Sequence, residues 1–467
     1  MLTFLYSHNY KRAKCKHKQN HKLFINKSRM PFRKHQSKLL QLLVGGALTI
    51  NFVWLIMVAS VPTSSPFYNF EFLVGNGVSF FPSPAATRRY LFGSSFSNHG
   101  SAATDQPESQ EEMNYRLLQA VDFDFDKGFE DFPQCDALRH PSDVDVTLVT
   151  QTSTERLHVM KDICSRWTGP ISIVVADSNE TDLSLFRYLT EDLECNPAVL
   201  TASVFKQRFE KSHYPVNTLR NIALRQAKTS HVIYSDIDLI PSAGLYKSIL
   251  RYQGLLHESN KNSIVVPAFQ LNPTLECQDN KAIVQEGCYE TLHGLLPETR
   301  SDLLQHYGHP FDEPEPRIFQ FTGKEHYYGH SSTGYAEWLK QEPDTLEPIL
   351  CLGSVRYEPY VVVRRCQELP PYQEHFTGYG KNKVSWMWQF RRSGYHLFRL
   401  GDGFVIHYPH PESKSKVHLT RRRKRIGRRN VEVEKIARLF REWLDTEVPD
   451  QETLPYCDGY QNDFAPA

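Results

Sequence analysis

The sequence predicts an α/β protein with a mixed central sheet, carried behind an N-terminal membrane-spanning helix. Strand-like and helix-like segments alternate over residues 145–240, and residues 39–61 contain no charged side chain. A third observation places the chemistry. The stretch "HVIYSDID", residues 231–238, is an apolar strand that ends in two carboxylates, Asp236 and Asp238. Open α/β sheets bind ligands at the carboxyl ends of their strands.

From the amino terminus, eleven lysines and arginines precede residue 39, whereas the first acidic residue is Glu71. The apolar stretch behind them is long enough, at about 1.5 Å per residue, to cross a hydrocarbon core of about 30 Å. It is longer than the roughly 7–15-residue core of a cleavable signal. Positive charge stays on the cytosolic side, so the expected orientation is type II, with the carboxyl-terminal part outside the cytosol. Eight cysteines lie beyond this segment and one, Cys15, before it. An even number in an oxidising compartment suits disulfides, and no CxxC pair suggests zinc. "NET" at Asn179 is a glycosylation acceptor there. A formal charge of +1 gives no electrostatic case for nucleic acid.

The expected organisation is a basic cytosolic tail (1–38), an anchor (39–61), a stem and lead-in (62–140), a catalytic domain (141–410), and a basic segment with an amphipathic helix (411–467). The acidic tract 121–132 fails as a calcium loop, since Lys127 stands where glycine is needed and Pro133 where glutamate is needed. It reads as a solvated lead-in. The domain then runs strand (145–151), helix (155–167), strand (169–176), helix (182–193), strand (198–205), helix (217–230), and the carboxylate-tipped strand. Residues 267–371, crowded with proline, glycine and aromatics, read as substrate-shaping loops. "GFVIHYPH", residues 403–410, is one more strand with a polar end, and residues 433–444 form an amphipathic helix behind the basic run 421–429.

Two like charges at a strand end require a countercharge. A divalent cation supplies one, and it bridges to the phosphates of a nucleotide. His407, ending its own strand, is the third candidate ligand, and imidazole beside carboxylates favours manganese.

The stretch "YPVNTLRNIALRQAKTSHVIYSDIDLIPSAGL", with "TLVTQTSTERL", "WTGPISIVV", "VVPAF", "YEPYVVV", "PPYQEHFTGYGKNKVSWMWQFRRSGYHLF" and "GFVIHYPH", resembles glycosyltransferase family 49, the β-1,4-glucuronyltransferase and LARGE-like enzymes. The likeness runs in order over residues 146–410, and one catalytic domain behind one anchor is closest to the single-domain glucuronyltransferase layout. It implies a GT-A fold, inversion at the anomeric carbon, and Mn2+ held by Asp236, Asp238 and His407. It implies a UDP-sugar donor, UDP-glucuronate by preference, a glycan or glycoprotein acceptor, and a Golgi membrane location. Arg220, Asn221 and Tyr214 correspond to donor-binding positions. Lys383, with Arg391 and Arg392 as alternatives, could pair with the donor carboxylate. Inversion needs a general base, for which Glu374 is the candidate. The chain departs from the family at Gln270, at Gly334 between Thr333 and Tyr335, and at Gln373 and His375. These positions are expected in sugar-facing loops. Two alternatives remain: a transferase-like protein that binds glycans without turnover, and a phosphatase of the haloacid dehalogenase type, which also ends a strand in DxD.

Overall fold

The computed structural model describes residues 124–461, except residues 137, 177, 210–212, 273–276, 278–285, 309–315, 322–326, 414–415 and 418–430. The expected tail, anchor and stem, Cys15 and the basic run 421–429 lie outside the described residues. Among the described residues no helix is long and apolar enough to cross a membrane.

β1 (Val146–Ser153), β2 (Ile171–Ala176), β3 (Leu200–Phe205) and β4 (His231–Tyr234) form where the apolar runs place them, and they pair in parallel with one another. Their side chains divide by parity. Ile171, Ile173 and Val175 enter one core, while Val174 and Ala176 enter the other on the opposite face. A strand covered on both faces reads as a continuous apolar run, which is why these segments lack alternation. The connecting helices Met160–Arg166, Asp182–Arg187 and Val216–Gln226 follow the 3.6-residue period. Thr181 caps the second of these through Ser184 N, and Asn179 is exposed just ahead of it.

After β5 (Leu239–Pro241) the chain departs from the expected picture of loops. β6 (Asn262–Val266), β7 (Ala268–Leu271), β8 (Ile318–Gln320), β9 (Leu346–Pro348), β10 (Leu352–Ser354) and β11 (Tyr360–Arg364) occupy the middle of the chain, followed by β12 (His396–Leu400), β13 (Val405–His407) and β14 (Tyr456–Gln461). The main sheet has the order β3-β2-β1-β4-β11-β6-β12-β9. β11 is antiparallel to both β4 and β6, so the strand after "YEP" is central. Its five buried residues follow Pro359 inside a proline- and aromatic-rich stretch, with no helix directly before it to mark a strand–helix alternation. A second sheet, β5-β13-β7-β8, sits beside the first, and β10 pairs with β14.

The tract expected to be a solvated lead-in keeps its described charged residues exposed but sends three phenylalanines into the core. Phe129 and Phe132 are buried and stacked, with centroids 4.0 Å apart, and Phe125 joins Phe376 and Phe440 in a third apolar cluster. Phe440 belongs to the helix Val431–Glu447, which packs on the helix Asn382–Arg392. Four disulfides pair the eight cysteines: Cys135–Cys366, Cys164–Cys195, Cys277–Cys288 and Cys351–Cys457. The first and last join segments 231 and 106 residues apart, and closures of that length restrict the unfolded chain most.

Candidate active site

The site begins with a turn. β4 stops at Tyr234 and β5 starts at Leu239, and Leu239 N donates to Asp236 O at 3.0 Å across the bend. Strand alternation therefore does not hold at residues 236–238, and the two carboxylates enter different clusters.

Asp236 Oδ1 accepts from Tyr234 Oη at 2.8 Å and Arg220 Nη2 at 3.1 Å. Its Oδ2 accepts from Lys383 Nζ at 2.9 Å and Tyr360 Oη at 3.0 Å. Burial alone would raise this carboxyl, but Lys383 and Arg220 hold it far below the ordinary range. Arg220 is itself buried. Its guanidinium lies 4.7 Å and 5.0 Å from the centroids of Tyr234 and Tyr372, and its Nη1 donates to Asn217 Oδ1. The helix Val216–Gln226 thus aims one fixed cation at the end of β4. Lys383 adds another from the first turn of the helix Asn382–Arg392, and Glu358 lies 3.6 Å from its Nζ.

Asp238 belongs to the second cluster, which the register of the small sheet builds. β13 pairs His407 with Leu239 on β5 and with Gln270 on β7, and Tyr408 N donates to Asp238 O at 2.7 Å. His407 Nε2 then lies 4.0 Å from Asp238 Oδ2, and His410 Nε2 lies 2.8 Å from the same oxygen. Arg156 Nη1 completes the ring at 3.0 Å. Burial would raise the Asp238 carboxyl too. His410, first through its hydrogen bond, and the charge of Arg156 hold it well below its usual range.

Among the described residues, Asp238, His407 and His410 are the group able to share one cation, their ligand atoms all lying within 4.8 Å of one another. Asp236, expected from the sequence as a ligand, is engaged by Arg220, Lys383 and two tyrosines; His410, unnoticed in the sequence, stands in the group instead. The signal that could have found it is the spacing His407-x-x-His410 directly after a strand.

The chemistry of this donor set fits a cation. Gln270 Nε2 donates to Leu271 O at 2.8 Å, which fixes the amide, so Oε1 accepts from His407 Nδ1 at 2.8 Å. His407 is therefore the Nδ1–H tautomer, with its Nε2 lone pair on the Asp238 side. Burial, more than any neighbouring charge, pushes its pKa down to about 4 and keeps it neutral. His410 Nδ1 donates to Pro411 O at 2.7 Å, so Nε2, 2.8 Å from Asp238 Oδ2, is the nitrogen that would serve as ligand once the proton it shares with that carboxylate is displaced. An acceptor behind each imidazole is the usual support for a metal-binding histidine.

Other sequence candidates fall elsewhere. Asn221 holds both the amide and the carbonyl of Tyr372, and its Nδ2 also donates to Glu374 Oε1 at 3.0 Å. Thr218 Oγ1 donates to Glu374 Oε2 at 2.8 Å, so both Glu374 oxygens tie its loop to the helix. Tyr214 Oη donates to Gln151 at 2.6 Å. Arg391 and Arg392 bind Glu452 and Asp445 near the carboxyl terminus, whereas Lys383 alone of the three reaches the carboxylate clusters.

The departures expected in sugar-facing loops are structural. Gln373 is buried, bonded to Asp126 and Gln389, and His375 bonds Asp124 O. Thr333 and Tyr335 are buried, and Gly334 has φ +71°. Gln270 supports a candidate metal ligand.

Comparison with known proteins places the chain among the glycosyltransferases. It belongs to the family described as "Glycosyl-transferase for dystroglycan", which matches residues 186–440. The xylosyl- and glucuronyltransferase LARGE2s of Gallus gallus is 34% identical over 288 residues, covering 60% of this chain and 34% of its own. LARGE1 of Homo sapiens is 32% identical over 274 residues, covering 58% of this chain and 32% of its own. The chain thus spans about a third of the length of these curated relatives. Among solved structures, GalNAc-T7 with UDP, GalNAc and Mn2+ aligns over 69% of this chain and 56% of its own, at 12% identity and a TM-score of 0.38.

Proposed function

We propose that this protein is a divalent-cation-dependent, inverting glycosyltransferase of the GT-A type that moves glucuronic acid from UDP-glucuronate onto a glycan acceptor. In this reading it is a type II Golgi membrane protein with its catalytic part in the lumen. The observation that carries the proposal is the Asp238–His407–His410 cluster, one carboxylate and two imidazoles backed by Gln270 and Pro411 O.

Manganese held there would offset the diphosphate charge and stabilise UDP as it leaves. The chain's own residues supply the rest. Asp236, saturated by four donors, fixes Arg220 and Lys383 at the mouth of β4. We assign a uronate carboxylate to Lys383, the one of the three basic candidates that reaches the Asp236 cluster.

The acceptor hydroxyl needs a base, and here the assignment moves from Glu374 to Glu358. Glu374 is tied through both oxygens to Thr218 and Asn221, whereas Glu358 adjoins Lys383 in the Asp236 cluster. A base removed typically costs about 10²–10⁴-fold in rate. Glu358→Gln is therefore expected to lose that much kcat with UDP affinity retained, and Glu374→Gln to stay within a few-fold of the unsubstituted protein. The reverse pattern would restore Glu374 as the base.

The decisive experiment is a panel of UDP-sugars offered to the purified full-length chain with Mn2+, with and without xylose-terminated acceptors, reading UDP release. Release confined to UDP-glucuronate and abolished by chelation is expected. Silence across the panel, with Mn2+ and UDP bound, would favour a glycan-binding protein without turnover.

A further inference from the structure

Arg156 has no role in the reading above, yet it holds the most contested atom in the site. It lies in the 3-10 turn Thr154–Val159, directly after β1, with Nη1 3.0 Å from Asp238 Oδ2 and Nη2 3.1 Å from Pro411 O. Asp238 Oδ2 also lies 2.8 Å from His410 Nε2, and Pro411 O also accepts from His410 Nδ1. The guanidinium therefore shares both the carboxylate oxygen and the supporting carbonyl with a candidate metal ligand. The pair is mostly buried, the side chains being 23% and 13% exposed, so water screens it little.

Building on the proposed cation site, we infer that Arg156 is an exchangeable countercation. It neutralises Asp238 before the ion arrives, yields that oxygen to the ion, and then takes an anionic oxygen of the donor diphosphate. Three physical points lead there. A guanidinium is never deprotonated in a protein, so it cannot make way by losing its charge and has to move. A second cation on the same carboxylate oxygen is repelled by it at close range in a poorly screened pocket. A planar fork with several donors matches phosphate oxygens bidentately. Arg156 contacts the donor directly in this scheme. It opposes binding of the ion alone and favours binding of ion and donor together, which couples the two positively.

Binding, measured without turnover, tests this. Mn2+ affinity of the purified full-length chain is measured from the free-ion electron paramagnetic resonance signal, alone and with saturating UDP. Arg156→Met should tighten binding of Mn2+ alone by about tenfold, weaken UDP binding in saturating Mn2+ by about as much, and so shrink the coupling between them. Arg156→Gln removes the charge but keeps a donor and should behave alike, standing in if the methionine variant fails to fold. Arg156→Lys keeps the charge and should leave Mn2+ affinity within about threefold of the unsubstituted protein. Unchanged or weaker Mn2+ binding in both neutral variants overturns the exchange while leaving the metal site standing. Equal tightening in the lysine variant also overturns it, since charge would not be the cause. If the unsubstituted protein itself binds no Mn2+, the underlying reading falls together with the exchange.

Discussion

Gln270 is the sharpest test of the metal reading, because it touches the site only through His407. Its Oε1 accepts the His407 Nδ1 proton at 2.8 Å, and its Nε2 is anchored on Leu271 O. Replacement by leucine removes the acceptor while keeping a comparable volume. The imidazole loses the bond that fixes its ring and tautomer, and Nε2 is no longer committed to the Asp238 side. Loss of such a supporting bond typically costs about 10–100-fold in metal affinity, or about 1.4–2.8 kcal/mol. Gln270→Leu is therefore expected to raise the Kd for Mn2+ within that range, measured by isothermal titration at pH 7.5, with the cation-free melting temperature nearly unchanged. Gln270→Glu restores the acceptor with charge and should bind Mn2+ at least as tightly as the unsubstituted protein. A folded Gln270→Leu variant with unaltered Mn2+ affinity would remove His407 from the ligand set and refute the reasoning.

Asp236 and Asp238 should respond differently to the same change. Asp236→Asn leaves the buried Arg220 and the partly buried Lys383 short of a counter-anion. It should lower stability by about 3–5 kcal/mol in denaturant titration, whereas Asp238→Asn should chiefly abolish Mn2+ binding; indistinguishable stability losses would contradict the two-cluster description. Gly334→Ala should destabilise by more than about 1 kcal/mol. Its φ is +71°, and an added Cβ would lie 2.5 Å from Nη1 of Arg399, whose guanidinium is held by Gln341, Glu347 and two backbone carbonyls; a neutral result in thermal melts would show that this segment yields. His231 supplies a pH dependence. Burial, then the charge of Arg364, pushes its pKa down to about 3 from 6.5. The folded state keeps it neutral while the unfolded state takes up a proton, so stability falls as pH drops from about 6.5 towards 3, at about 1.4 kcal/mol per unit. Urea titrations at pH 7 and pH 5 should show about 2 kcal/mol less loss in His231→Gln than in the unsubstituted protein; equal losses would place the acid sensitivity elsewhere.

The alternation from β1 to β4 was legible in the order of residues because each segment carries its own signal. Apolar runs such as "ISIVVA" and the 3.6-residue period of residues 216–226 act over a few neighbours, and they placed Asp236 and Asp238 at the end of a strand. The family motifs were legible for the same reason. What local patterns could not carry was pairing between distant segments. β11 lies between β4 and β6 through partners 129 and 98 residues away, as in Val362 with Ile233 and with Ile264. The register of β13 against β5 and β7 set His407 beside Asp238 and Gln270, and the chain beyond it brought in His410. The bend at residues 236–239, closed by a single backbone hydrogen bond, sent the two carboxylates to different partners. Local order fixes which side chains are available near a strand end. Only long-range strand register, and the burial that accompanies it, decides which of them meet.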